Sequence, residues 1–180
     1  MLLNLDPHYT YEWWSRLCRD EEKMVRWLLK LQQTEYEGFT GNKEADEKWS
    51  NGNQAASNIF RVTGDDELRH SDILVKLLRD RGVVGSDQVS PPSYYWTEMD
   101  KIITDLHSCA AVFHLGEALA AWRFQIIRDH PDTPGDVAHF INQALPDESY
   151  HARAFRRLST DAAIEKATAT HIRVVAEMTK

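Results

Sequence analysis

Apolar residues recur along this chain at alternating steps of four and three, the spacing that places them on one face of an α-helix. Between the turn Ser50-Asn51-Gly52-Asn53 and residue 81 the row is Ala56, Phe60, Thr63, Glu67, His70, Leu74 and Leu77. Between about residues 136 and 158 it is Val137, Ile141, Ala144, Glu148, His151, Phe155 and Leu158. A stretch over roughly 94–130 offers Ile103, Leu106, Ala110, Phe113, Glu117, Ala120, Phe124 and Ile127. An earlier one, about 10–50, carries Leu17, Met24, Leu28, Leu31 and Glu35. In each row a carboxylate stands where an apolar residue belongs. Burying that charge is costly unless it is paired or bound to a metal.

Turn residues punctuate these rows. Gly82 stops the second predicted helix, and the first has a candidate break near Gly38 or Gly41. Pro131-Asp132-Thr133-Pro134-Gly135-Asp136 is a strong turn, with Asp136 as the expected N-cap of the fourth helix. Ser159-Thr160-Asp161 caps a fifth helix that ends near Met178. The short turns make the first and second helices antiparallel neighbours, and likewise the third and fourth. The link over 83–93 is different. Its roughly 11 residues reach about 36 Å when extended. The helix before it, of about 28 residues, is roughly 42 Å long. A link of that reach permits one long crossover in an all-α four-helix bundle, with the bundle at about 10–158 and an added C-terminal helix at about 161–178.

The length of 180 residues suits a single domain over 1–180, and Gly (8) and Pro (6) are scarce, as in a helical protein. A net charge of −7 argues against nucleic acid as a partner. No apolar run approaches the ~20 residues of a membrane span, and MLLNLDPHYT does not read as a signal peptide. Cys18 and Cys109 form no Cys-x-x-Cys pair. They read as buried thiols of a reducing, cytoplasmic compartment, with a disulfide between them as the alternative. Two cysteines are too few for a four-thiolate iron module.

The candidate chemistry lies in a pattern that occurs twice: Asp66-Glu67-Leu68-Arg69-His70 and Asp147-Glu148-Ser149-Tyr150-His151. One Glu-x-x-His is worth little, since chance alone supplies roughly 0.6 of them in such a composition. Measurement from the turns adds weight. The first hairpin turns at Asn51-Gly52, and an even helical rise puts the position level with Glu67 and His70 together near residue 34 or 35, where Glu35 fits. The second hairpin turns near Thr133, and Glu117 before it and Glu148 after it stand almost equally far from that centre. Each hairpin therefore levels a single Glu with a Glu-x-x-His. That is the ligand set of a carboxylate-bridged di-metal site in a helical bundle. Glu37 is the alternative to Glu35, but it shares a wet face with Arg26, Lys30, Gln33 and Glu44. Glu and His at i and i+3 share one helix face, and carboxylate with imidazole suits two iron ions, or a manganese–iron or dimanganese pair. Asp66, Asp147 and Tyr150 are candidates to support the ligands, with a solvated surface position as the alternative reading. His114, one turn before Glu117, reads as a core histidine before a proton donor or seventh ligand, and the role of His107 stays open. Pro146 is expected to kink the fourth helix beside Glu148.

On these motifs the chain resembles the ferritin-like superfamily of di-iron carboxylate proteins, which includes rubrerythrins, bacterioferritins and O2-activating oxidases and oxygenases. Ala56–Phe60 with Asp66–Leu74 and Leu77–Gly82 is similar to the second helix of that superfamily, and Gly116-Glu117-Ala118 and Asp147–His151 to the third and fourth. The resemblance covers roughly 12–158. It implies that Glu35, Glu67, His70, Glu117, Glu148 and His151 bind the metals. It also implies an oxidoreductase acting with O2 or H2O2 and an unspecified electron donor, with a homodimer admissible. An oxidase or oxygenase of a small organic substrate is the leading expectation, with Phe60, Ala110, Phe113, Ala121 and Phe124 as pocket candidates. A rubrerythrin-like peroxidase or ferritin-like ferroxidase is the first alternative. A non-catalytic bundle with a degenerate site is the second.

Overall fold

The computed structural model describes residues 6–83 and 93–178, and the regular structure among them is all helical. Helix α1 (Pro7–Leu17) starts where Asp6 accepts a hydrogen bond from the His8 N–H at 2.9 Å. Helix α2 (Glu21–Ala45) starts at Asp20, which accepts from the Lys23 N–H at 3.0 Å. Glu21 and Glu22 complement the dipole of its first turn. The predicted helix over 10–50 therefore breaks at 18–20, while Gly38 and Gly41 lie inside an unbroken α2. The overlooked signal was an aspartate cap followed by two acids. A π-helical turn (Asp46–Ser50) follows α2. Asn51 (φ 43°) and Gly52 (φ 80°) then close the hairpin in left-handed backbone, a conformation that costs glycine nothing.

Helix α3 (Gln54–Asp80) is capped by Asn53 and stops before Gly82, whose φ is 79°, the usual glycine stop of a helix. The predicted helix over 94–130 is two: α4 (Tyr94–Asp100) and α5 (Leu106–Asp129). The break is a reciprocal cap. Asp105 accepts from the Ser108 N–H at 2.7 Å. The Ser108 hydroxyl accepts from the Asp105 N–H at 2.9 Å. Helix α6 (Gly135–Leu158) continues through Pro146. Asp136 is not its N-cap. Pro134 holds that position, and Asp136 in the first turn accepts two bonds from Arg81 at 2.6 and 2.8 Å. Helix α7 (Asp161–Met178) begins at Thr160, whose hydroxyl accepts from the Ala163 N–H.

Helices α2 and α3 pair as one hairpin, α5 and α6 as the other, and α3 packs on α6. Two apolar clusters close the bundle. Ala45, Ala56, Phe60, Cys109, Ala110 and Phe155 fill one end; Met24, Leu28, Leu74, Phe124, Phe140 and Ile141 belong to the other. Residues from the starts of α3 and α5 meet in the first cluster, so these helices run parallel. That is the arrangement a single long crossover produces. Pro91 and Pro92, expected in that link, lie outside the described residues. Helices α4 and α7 cover the outer side of α5, burying Val112, Leu115 and Leu119 against Ile164 and Val174. One stripe therefore understated α5, which is buried on more than one side.

Candidate metal centre

Between the two apolar ends, four helices deliver acids and imidazoles to one level. Glu35 comes from α2, Glu67 and His70 from α3, Glu117 from α5, and Glu148 and His151 from α6. All six are buried, and both imidazoles are fully so. Their ligand-type atoms fall into two overlapping groups: Glu35, Glu67, His70 and Glu148; and Glu67, Glu117, Glu148 and His151. Within each group the atoms lie within 4.8 Å of one another. Glu67 and Glu148, one from each Glu-x-x-His, belong to both.

The two histidines are oriented in the same way. His70 turns Nδ1 toward Glu35 Oε2 (3.3 Å) and Glu148 Oε1 (3.4 Å). His151 turns Nδ1 toward Glu67 Oε1 (3.4 Å) and Glu117 Oε2 (3.9 Å). Each Nε2 bonds to the aspartate of the other motif: His70 to Asp147 at 3.2 Å and His151 to Asp66 at 3.1 Å. A histidine that donates Nε2–H to a carboxylate leaves Nδ1 free to bind a metal. Arg69 completes the exchange, donating to Asp66 at 2.7 Å and to Asp147 at 2.8 Å. Sequence reasoning passed over Arg69. Its partner three residues away was visible, but the one on α6 was not.

Desolvation dominates the electrostatics. Burial raises the carboxyl of Glu35, and burial with neighbouring carboxylates raises Glu67 and Glu117 well above the usual range. Burial opposes ionisation of Glu148 too, but bonds with His70 and Glu117 outweigh it and hold that carboxyl low. Burial works against a charged His70, yet bonds to Glu148 and Glu35 push it up to about 11, and His151 is raised in the same manner. So many carboxyls can be ionised together only beside cations. Glu67 Oε1, Glu148 Oε1 and His151 Nδ1 are buried with no well-formed hydrogen bond, only the ion-pair approaches of 3.4 Å to an imidazole or a carboxylate. Orphaned oxygen and imidazole atoms facing one another suit a pair of divalent ions.

The other candidates lie elsewhere. Glu37 is outside both groups, half-buried and accepting from Gln33. Tyr150 is exposed, its ring 6.2 Å from that of His151. His114 bonds through Nδ1 to the Ala152 carbonyl (2.8 Å), and His107 to the Leu158 carbonyl (2.8 Å). Cys18 and Cys109 are free thiols, the first only half-buried. Beside the centre lies a cavity of about 250 Å³ between α2, α4 and α5, reaching Glu117, Gly38, Trp96 and Phe113. Of the five pocket residues expected from sequence, only Phe113 lines it. Phe60 and Ala110 pack at one end of the bundle, and Phe124 at the other. Two glycines shape its walls. A Cβ on Gly38 would stand 2.9 Å from Glu67 Oε2, and one on Gly116 would stand 2.2 Å from the Trp96 ring.

A helical bundle with this topology and a buried glutamate–histidine cluster at mid-height has the architecture of a ferritin-like di-iron carboxylate domain. The sequence model of one family within that class, the rubrerythrins, matches residues 28–159, which is most of the chain and includes all six residues. The chain belongs to the rubrerythrin family. No curated protein and no solved structure matches it. Among the described residues, no helix is long and apolar enough to cross a membrane.

Proposed function

We propose that this chain binds two iron ions and reduces hydrogen peroxide. Glu35 and His70 would serve one ion and Glu117 and His151 the other, with Glu67 and Glu148 shared. The observation that carries this reading is the membership of Glu67 and Glu148 in both groups of converging atoms. When bound, two ferrous ions supply the two electrons that turn H2O2 and two protons into two waters. The chain does the rest. Asp66 and Asp147 hold the imidazoles by Nε2, so that Nδ1 faces the carboxylates. Phe60, Phe140 and Phe155 keep bulk water from the level of the site. The cavity beside Glu117 admits a molecule the size of peroxide or O2. Its volume and polar rim favour a second reading, oxidation of a small polar organic compound bound there. Free thiols fit a cytoplasmic setting.

Anaerobic reconstitution followed by metal analysis tests the centre, with two irons per chain expected. Failure to bind either iron or manganese would remove the reading. Stopped-flow mixing of the ferrous protein with H2O2 or with O2 then tests the reaction. Faster oxidation by peroxide, with no organic compound required, is expected. Faster reaction with O2 that depends on an added organic compound would favour the second reading.

A further inference from the structure

A second cavity, of about 400 Å³, lies on the far side of α5, lined by residues of α1, α5 and α7. Its size falls in the usual range for small-molecule sites. Leu119, Trp122 and Val175 make much of its wall apolar. Arg123 stands in that wall as well. A guanidinium keeps its charge in a protein, so a sheltered one calls for an anion. Among the described residues Arg123 forms no ion pair. Its charged end lies 5.6 Å from the centre of the Trp13 ring. Such a contact attracts the cation without neutralising it. Burial disfavours its charged form, as expected of a cation without a carboxylate beside it. Asp6, also in the wall, uses a carboxylate oxygen to cap α1.

Other polar groups stand in the wall. Thr10 is one of them and is 2% exposed. His171 is 1% exposed and bonds through Nδ1 to the Tyr95 hydroxyl at 2.8 Å. The other ring nitrogen, Nε2, is buried and has no partner among the described residues. A largely apolar cavity that holds a guanidinium without an ion pair and a buried imidazole nitrogen without a partner has the chemistry to bind an amphipathic anion. We propose that this cavity binds a small organic carboxylate with an apolar body, the carboxylate on Arg123 and the body against Leu119, Trp122 and Val175. The site is separate from the metal centre and does not depend on its chemistry.

Isothermal titration of the full-length protein with octanoate, octanol and octylamine tests this. Octanoate is expected to bind at least tenfold more tightly than either of the others and to change Trp fluorescence through Trp122. Arg123→Gln should weaken octanoate at least tenfold while circular dichroism and iron content stay unchanged. Ala176→Trp, which fills the chamber from an exposed position, should weaken it to a similar degree. If Arg123→Gln fails to fold, Ala176→Trp decides on its own. Glu148→Ala should retain octanoate binding, which separates this site from carboxylate bound at iron. No binding of octanoate, equal binding of octylamine, loss in Glu148→Ala, or full binding by Ala176→Trp would each overturn the proposal.

Discussion

Glu67 and Glu148 outweigh the other four residues because each belongs to both histidines' groups. Glu148→Ala is therefore expected to lower bound iron from two per chain to below one. Glu35→Ala, which removes a member of one group only, should leave about one; iron analysis after anaerobic loading reads the difference. That Glu35 stands at the level of Glu67 and His70 was legible from the hairpin turn and from the apolar row it continues, since a helix rises evenly and a level position can be counted. Arg69 was not, because its second partner lies 78 residues away on another helix. His171 offers a test away from the metals. Burial pushes its pKa down to about 4, and a nearby His114 adds to this. The unfolded chain therefore takes up a proton that the folded one resists. This stability is full above about pH 6.5 and is lost as pH falls toward 4, by up to about 3 kcal/mol. Thermal melts from about pH 4.5 to 7.5 should show a shallower acid decline for His171→Gln than for the parent protein.

The helices meet at two close approaches that set the walls of the inner cavity. Gly38 lets α2 lie against the Glu67 carboxylate of α3. Gly38→Ala would push that carboxylate aside, so iron affinity should fall while the melting temperature changes little. Gly116 lets α5 receive the Trp96 ring from α4. There, Gly116→Ala should cost about 1–3 kcal/mol in chemical denaturation, the usual effect of overpacking. Adding Trp96→Ala should recover part of that loss, a non-additive result expected for residues in contact. The clip between α3 and α6 makes a third case. Arg69→Met leaves Asp66 and Asp147 repelling each other near the two histidines. It should weaken iron about tenfold in a chelator competition. At this scale the sequence was read well for α3, whose expected inward row is wholly buried. It was read poorly where a helix broke. The breaks at 18–20 and 101–105 depend on aspartate caps that a periodicity argument runs past.

In the whole molecule, two hairpins close over a polar level with an apolar cluster at each end. The metals are thus expected to tie the hairpins together. Adding ferrous iron without oxygen should raise the melting temperature, by an amount equivalent to about 2.7 kcal/mol at a hundredfold excess over the dissociation constant. Binding should also release protons, since His70 and His151 hold theirs strongly and must give them up to coordinate. Calorimetry in two buffers of different ionisation enthalpy measures that release. Equal heats in both would show that the imidazoles do not coordinate.

The sequence by itself determined the helical period, the two hairpin turns and the height at which each acid and histidine stands. All of these follow from spacing along one chain segment, where about 3.6 residues per turn and a few turn residues leave little choice. Tertiary structure alone decided the crossed bonds from each aspartate to the other motif's histidine, and the Arg69 clip. It also decided the separation of α2 from α5 that opens the inner cavity, and the chamber around Arg123. These depend on side chains far apart in the chain meeting across helices, and their distances come from how the helices pack rather than from any local pattern.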